Sequence, residues 1–482
     1  VVGAGTTGVT TAAMLVRAGR QVCVLESGAV GRCGTPHRTS AHLTAIPDER
    51  LTTLVRRFGE SAMQITIRAL VESINEIQRL DDLTGKHSNF RRTSAWRYLD
   101  PDAADQASML RDECDCARDL GLDVNLEPAA PLPFATDLAL HIFDQAAFHP
   151  VRYVDALARF IAAQPACDIF HHSTVRSFEP GSPTVVSTDG GSLTCDHLVL
   201  ATHSPSGVWL TLHPRLLPIM SYCITARVTS AIPDGLFWDC HDPYHYIRRV
   251  SAADPSCIIV GGEDHSVSKS VDAQARAASL ERYVRDQFGE AQVECRWSSE
   301  LFNSADGLPY IGRAPGDGNI YIATGFAGVG LTFGTAAARL IADLILGIDN
   351  PWFEVVKPTR IKPLASASDT LKEVAATAKG LADRLRHLQP IREQEITPGE
   401  GMLVRLDGRP TAVHRDLEGH LHARSAVCPH MGCLVSWNAF ERCWVCPCHG
   451  SLFTAEGTPA AGPAMSDLAA RRDAEAANVR NT

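Results

Sequence analysis

The spacing of apolar and polar positions divides the chain into three stretches. At the start, Val1-Val2 leads through Gly3-Ala4-Gly5-Thr6-Thr7-Gly8 into a helical pattern over residues 9–18, stopped by Gly19. Residues 21–25 are a second apolar strand, closed by Glu26. Residues 48–80 then read as one long helix with Leu51, Leu54, Val55 and Phe58 on one stripe. A strand over 92–99 and a helix over 106–120, ended by Gly121, follow. Short strands are expected at 172–178, 184–188 and 197–201, and the alternation over 216–262, rich in β-branched and aromatic residues, predicts an antiparallel sheet. Near residue 300 the pattern changes: the turn-rich Asp306-Gly307-Leu308-Pro309-Tyr310-Ile311-Gly312, a strand over 319–323, then a glycine-rich approach to a helix over 333–346. Residues 350–390 are linker-like, with Pro351, Pro358 and Pro363 before a polar helix at 370–388. The last stretch predicts a small β domain, its strands at 401–406, 411–415 and 420–426 joined by Asp407-Gly408 and Glu418-Gly419 turns.

Composition narrows this further. Of 482 residues, 45% are apolar and 21% charged, ordinary globular usage that excludes bulk disorder and a rod-like chain. The net charge of −10 and the lack of a dense basic stretch argue against nucleic acid as a partner. The longest apolar run, 340–348, is broken by Asp343 and Gly347 and falls short of the roughly 18–20 residues of a membrane span, so none is expected. Fifteen cysteines are unevenly placed: ten are scattered before residue 428 and five lie within 428–448. Scattered thiols in a well-cored chain suit a reducing compartment, and with no visible signal peptide the expected location is the cytoplasm.

Strand, glycine turn, helix, strand and acid in that order point to a dinucleotide site, with a purely structural βαβ turn as the alternative. Gly3, Gly5 and Gly8 allow a tight turn, close approach of backbone to a pyrophosphate and close helix packing, and Glu26 is placed to accept from a ribose hydroxyl. In the C-terminal part, Cys428-Pro429-His430-Met431-Gly432-Cys433 and Cys446-Pro447-Cys448-His449-Gly450-Ser451 each offer one Cys and one His to a metal. Two thiolates and two imidazoles on two loops suit a [2Fe–2S] centre; structural zinc is the alternative, though it has no use for Cys433 and Cys448.

Residues 391–468 resemble Rieske iron–sulfur domains in both boxes. The resemblance implies that Cys428 and Cys446 ligate one iron, that His430 and His449 ligate the other, and that Cys433 and Cys448 form an interloop disulfide. Ser451 matches a residue that donates to a cluster sulfur, whereas Phe453 stands where high-potential members carry Tyr, which implies a middling potential. Residues 1–350 resemble the D-amino-acid oxidase/glycine oxidase/sarcosine oxidase family of FAD enzymes, through GAGTTG with Glu26, DGLPYIG at 306–312 and ATGFAGVGLTFGTAAARLIADLI at 323–345. By that resemblance FAD is held by Gly3, Gly5, Gly8, Glu26, Thr39, Ser40, Val175, Gly307, Gly328, Gly330, Leu331 and Thr332. Sarcosine-type enzymes attach flavin through a cysteine in the stretch that here reads Ser298-Ser299-Glu300-Leu301-Phe302-Asn303, so covalent attachment there is not expected.

The expected fold is an α/β FAD-binding domain (Rossmann-like, glutathione-reductase type) interleaved with an antiparallel-sheet substrate domain, plus a small all-β Rieske domain. The FAD-binding parts are placed at about 1–50, 140–215 and 300–350, the substrate domain at 51–139 and 216–299, a linker with a helix at 351–390 and the Rieske domain at 391–482. The family resemblance implies oxidation of a C–N bond in a small amine or amino acid, with Tyr246, Arg248 and His42 as catalytic candidates; His203 and His265 are further possible bases. A two-electron flavin fused to a one-electron cluster implies a dehydrogenase rather than an oxidase, passing electrons singly to a carrier, ferredoxin-like or quinone. The alternatives are an electron-transfer component serving a partner enzyme and a redox sensor.

Overall fold

The computed structural model describes residues 1–360 and 396–471, apart from 32, 33, 208, 210, 269, 270 and 317; the helix expected at 370–388 lies outside the described residues. Val2 bridges the strands Val22–Leu25 and Leu198–Leu200, joining them into one parallel sheet. Cys167–Phe170 lies at one edge; Ile320–Thr324 pairs parallel to Leu198–Leu200, and Tyr310–Arg313 pairs antiparallel to it at the other edge. Ile320–Thr324 is buried at every position, as expected of a strand covered on both faces. The helices Thr6–Arg17, Pro150–Ala162 and Gly330–Leu346 pack together over one face. On the other, Val175 and Val186 of a three-stranded antiparallel sheet join Val2, Leu25, Leu198 and Leu200 in a second core.

Glycine makes this packing possible. Gly3 has φ +94°, and a Cβ there would fall 2.5 Å from the Ala201 carbonyl; a Cβ at Gly8 would run into the Gly3 carbonyl, and one at Gly334 would lie 2.6 Å from Thr7 Oγ1. The segment Ala327–Leu346 is apolar and long enough to cross a membrane by composition, but most of it is buried within the protein, which marks a core helix.

The second layer is a nine-stranded sheet running Ala291–Ser304, Leu216–Val228, Asp254–Ser266, His245–Ser251, Leu236–Asp239, Arg91–Leu99, Asp137–Ala147 and His42–Leu43, with Val124–Glu127 added alongside Asp137–Ala147. It departs from the expected antiparallel order at one seam, where Leu236–Asp239 runs parallel to Arg91–Leu99. The helix expected over 48–80 is two helices, Leu51–Phe58 and Glu60–Leu83, because Gly59 takes φ +88° and ends the first. At the far end of the flavin part, Arg360 is buried and donates to both carboxylate oxygens of Asp306 (2.9 and 2.7 Å) and to the carbonyls of Pro309 and Val356, while lying over the Tyr310 ring. This is the brace of the 306–312 turn.

The C-terminal part is two small antiparallel sheets. One holds Gly401–Leu406, Arg409–Arg415 and Leu421–Ser425, and the other Ser436–Asn438, Cys443–Val445, Leu452–Phe453 and Pro459–Ala461. Trp444 and Phe453 fill its core, from which residues 428–433 and 446–451 project as two loops.

Candidate active site and cluster loops

The two halves of the molecule meet around one cavity of about 760 Å³. Gly3, Gly5, Glu26 and Val175 line its dinucleotide end, and Thr39, Ser40, Gly328, Gly330 and Leu331 line its middle. Glu26 is fixed there by backbone, accepting from Ala4 N (2.8 Å) through Oε2 and from Gly28 N (3.0 Å) through Oε1. The first N–H groups of the helix Gly330–Leu346 point at this space, and a helix start favours negative charge. Three expected contacts stand behind the wall. Gly8 packs on Gly3, Gly307 packs on Leu54 with φ +94°, and Thr332 is fully buried in its helix. No cysteine is among the described lining residues.

The substrate-side wall comes from the large sheet. Tyr246 lines the cavity with its hydroxyl at hydrogen-bond distance from Ser221 Oγ (3.2 Å) and Cys223 Sγ (3.1 Å). His42 also lines it, edge-on to Tyr246 at 5.3 Å, but both ring nitrogens are engaged, Nδ1 with Ser40 Oγ (3.1 Å) and Nε2 with the Ile247 carbonyl (3.3 Å). Burial, assisted by Arg248, lowers its pKa to about 3, so it is a neutral, fixed ring rather than a free base. Arg248 is a correction to the expected carboxylate clamp. Its guanidinium donates to the carbonyls of Ser40 and Arg249 and is absent from the cavity wall, because the strand turns it toward the backbone of 38–42. His265 is likewise elsewhere, paired with Tyr222 OH at 3.0 Å.

Arg97, which sequence reasoning passed over, is an arginine of the cavity wall where Arg248 is not. It lies on the strand Arg91–Leu99, lines the cavity and keeps a buried Nε without a hydrogen-bond partner. Beside it Asp48 accepts from the Gly328 amide, and enclosure raises its carboxyl to about 6. Asp264, behind Ser221, is raised further, to about 7, again chiefly by burial. Neither acid carries a motif; only the fold brings 48, 97 and 328 together.

The cluster loops bring together a donor set that suits iron. The Cys446 and Cys428 thiols adjoin, and the contact pulls Cys428 below its usual pKa. The His430 and His449 rings lie 5.0 Å apart, and three of their nitrogens, both of His430 and Nδ1 of His449, are buried without partners. Two adjoining thiols and two imidazoles with unsatisfied nitrogens fit a two-iron, two-sulfide centre. Cys433 and Cys448 are joined by a disulfide. The sulfurs of Cys433, Cys446 and Cys448 gather within 4.8 Å of one another. The fully buried Ser451 accepts from Ala464 N (3.2 Å), leaving its hydroxyl hydrogen to donate toward Cys428.

These loops face the flavin part. His213 packs edge-on to His430 at 4.6 Å and lies 5.7 Å from His449, held by the Pro205 carbonyl (3.1 Å) and the Trp209 amide (3.3 Å). Glu441 accepts from Ser298 N and Oγ (2.7 Å each) and from Arg38 (2.6 Å), and Gly207 N donates to Pro463 O. Leu452, Pro459, Gly462, Ala464 and Met465 of the C-terminal part wall the same cavity as Gly3 and Glu26.

A dinucleotide cavity that shares a wall with a pair of Cys–His loops defines a flavoprotein carrying its own iron–sulfur centre. The sequence matches the FAD dependent oxidoreductase family over residues 1–344 and the Rieske [2Fe-2S] domain over 388–472. The chain belongs to that FAD-dependent oxidoreductase family, with a C-terminal Rieske domain, and its cofactors are FAD and a [2Fe–2S] cluster. It is 27% identical over 474 residues to YhfW of Bacillus subtilis (strain 168), a protein named for a Rieske 2Fe-2S iron–sulfur centre, covering 97% of this chain and 92% of that one. It is 26% identical to glycine oxidase of Bacillus licheniformis, over 75% of this chain and 96% of the relative. The L-proline dehydrogenase structure from P. horikoshii shares the fold, with a TM-score of 0.62 at 17% identity, over 74% of this chain and 96% of that one.

Proposed function

We propose that the protein is an amine or amino-acid dehydrogenase that oxidises a C–N bond and sends the electrons singly through its Rieske centre to an external one-electron carrier, ferredoxin-like or quinone. One observation carries this reading: the cavity lined by the dinucleotide residues Gly3 and Glu26 is also lined by Leu452, Pro459 and Ala464, next to the cluster loops. Bound FAD supplies a hydride acceptor, and the bound cluster an acceptor of one electron at a time. Cys428, Cys446, His430 and His449 are the residues that hold the cluster.

The chain's own groups supply position and charge. Arg97, which lines the cavity, pairs with a substrate carboxylate and fixes orientation as well as charge. Asp48 Oδ1 accepts the hydrogen bond of the substrate nitrogen, while Oδ2 stays on the Gly328 amide. Tyr246, anchored by Ser221 and Cys223, closes the pocket over the reacting carbon and excludes water. His42 holds the 40–42 segment against the Ile247 carbonyl and keeps that wall in place. The glycine oxidase relative and the proline dehydrogenase fold support a small amino acid or secondary amine as substrate.

Anaerobic mixing with a panel of amines and amino acids tests this, followed by absorbance at the flavin band and by EPR. The expected result is flavin bleaching by at least one compound, followed by the signal of a reduced cluster. Stoichiometric peroxide in air with a cluster that stays oxidised would overturn it, as would bleaching by NADH and by no amine.

A further inference from the structure

Away from the flavin cavity and the cluster loops, one hairpin of the C-terminal part carries imidazoles and a carboxylate on a single face. The strands Arg409–Arg415 and Leu421–Ser425 pair with His414 directly opposite His422. The pairing continues into the turn, where Asp416 N donates to the His420 carbonyl (3.0 Å). Side chains two apart on a strand share a face, so His414, Asp416, His420 and His422 stand on one side of the hairpin. Asp416 Oδ2 lies 2.8 Å from His422 Nε2 and 3.3 Å from His420 Nδ1, and Oδ1 accepts from His420 N (2.7 Å). His414 stacks beside His422, with ring centroids 5.9 Å apart, and holds that ring in place. The His420 side chain is 72% exposed and that of His422 34%, so the group opens to solvent.

A single carboxylate is balanced by one imidazolium, yet two imidazoles converge here on the same oxygen. On a tetrahedral metal with bonds of about 2.0–2.1 Å, neighbouring ligand atoms stand about 3.3 Å apart. The two spacings at Asp416 Oδ2 are already close to that. The side of the triangle between His420 and His422 is the wide one, and the exposed His420 ring has room to turn and close it. Two imidazoles and a carboxylate suit Zn²⁺, whereas Ca²⁺ and Mg²⁺ take oxygen ligands. We propose that Asp416, His420 and His422 form a Zn²⁺ site, separate from the iron–sulfur centre, with water in the fourth position. The strand Leu421–Ser425 runs on through Ala426 and Val427 to Cys428, so a metal at its start braces the chain that enters the first cluster loop. The site is independent of which substrate the flavin part oxidises.

The test uses the full chain with FAD and cluster in place, washed with chelator, as parent, His420→Ala and the double variant His420→Ala/His422→Ala. Each is dialysed against Zn²⁺, and bound zinc and retained iron are measured by elemental mass spectrometry. The parent is expected to hold one zinc more per chain than the double variant, with iron content and the reduced-cluster EPR signal the same in both. His420→Ala removes an exposed ring, keeps the fold, and is expected to bind that zinc about tenfold more weakly. Parent affinity is expected to fall about tenfold or more from pH 7.5 to pH 5.5, because both imidazoles must be neutral to bind. Equal zinc in parent and double variant would overturn the site. So would zinc gained only as iron is lost, which places it at the cluster ligands, or an affinity that His420→Ala leaves unchanged.

Discussion

The cluster loops and the flavin cavity are built in opposite ways. The four candidate cluster ligands fall within 22 consecutive positions, Cys428 to His449, on two loops that small local sheets hold in place. The cavity draws on Gly3, Glu26, Asp48, Arg97, Val175, Tyr246, Glu300 and Gly328, brought together from most of the flavin part by two sheets and a helix start. A compact site depends on its own loops, whereas a dispersed site depends on remote braces. That difference makes separable predictions.

The largest effect is expected at a brace. Arg360 is buried and its Asp306 partner is buried with it, so Arg360→Met leaves an uncompensated carboxylate beneath the 306–312 turn. A loss of about 3–5 kcal/mol is expected for the flavin part in urea unfolding. FAD should dissociate while the reduced-cluster EPR signal persists; loss of both together would break the contrast.

A smaller effect is expected on the cavity wall. Arg97→Leu should lower kcat/KM for a carboxylate-bearing substrate about a hundredfold, in line with one charge-assisted hydrogen-bonding contact of about 2–3 kcal/mol. A carboxyl-free amine should change little. Steady-state assays with the matched pair check this, and an equal loss on both would place Arg97 in folding rather than recognition. Arg248→Leu would then serve as the structural control, since its guanidinium holds backbone carbonyls.

A third effect concerns pH. Asp264 is held near 7 in the fold, against roughly 4 when unfolded, so the folded chain binds its proton more tightly. The stability this contributes is full below about pH 4 and is lost as pH rises through about 7. Asp264→Asn should therefore gain on the parent as pH rises from 4 to 7 in denaturation series, with the cluster loops indifferent. A gap independent of pH would contradict the burial-driven shift.

The same contrast explains what could be read from the sequence. The cluster boxes carry their chemistry in consecutive residues, and the glycine fingerprint carries its own in the turn of one βαβ unit, so both were legible. Gly59 ended a helix that the apolar stripe alone carried through to residue 80, since a stripe does not register φ. Arg248 was chosen from its strand, yet which way a strand arginine turns depends on neighbours far away, here Ser40 and Arg249. Arg97, Asp48 and His213 sit in no motif, and their meaning comes only from what the tertiary structure sets opposite them.

The central claim is that flavin and cluster share one wall and exchange electrons within a single chain. Single-turnover stopped-flow tests it most directly: the FAD is reduced anaerobically by substrate and cluster reduction is followed at several protein concentrations. The account predicts a first-order rate that is the same at every concentration. A rate that rises in proportion to concentration, or a cluster that remains oxidised beside fully reduced flavin, would contradict it.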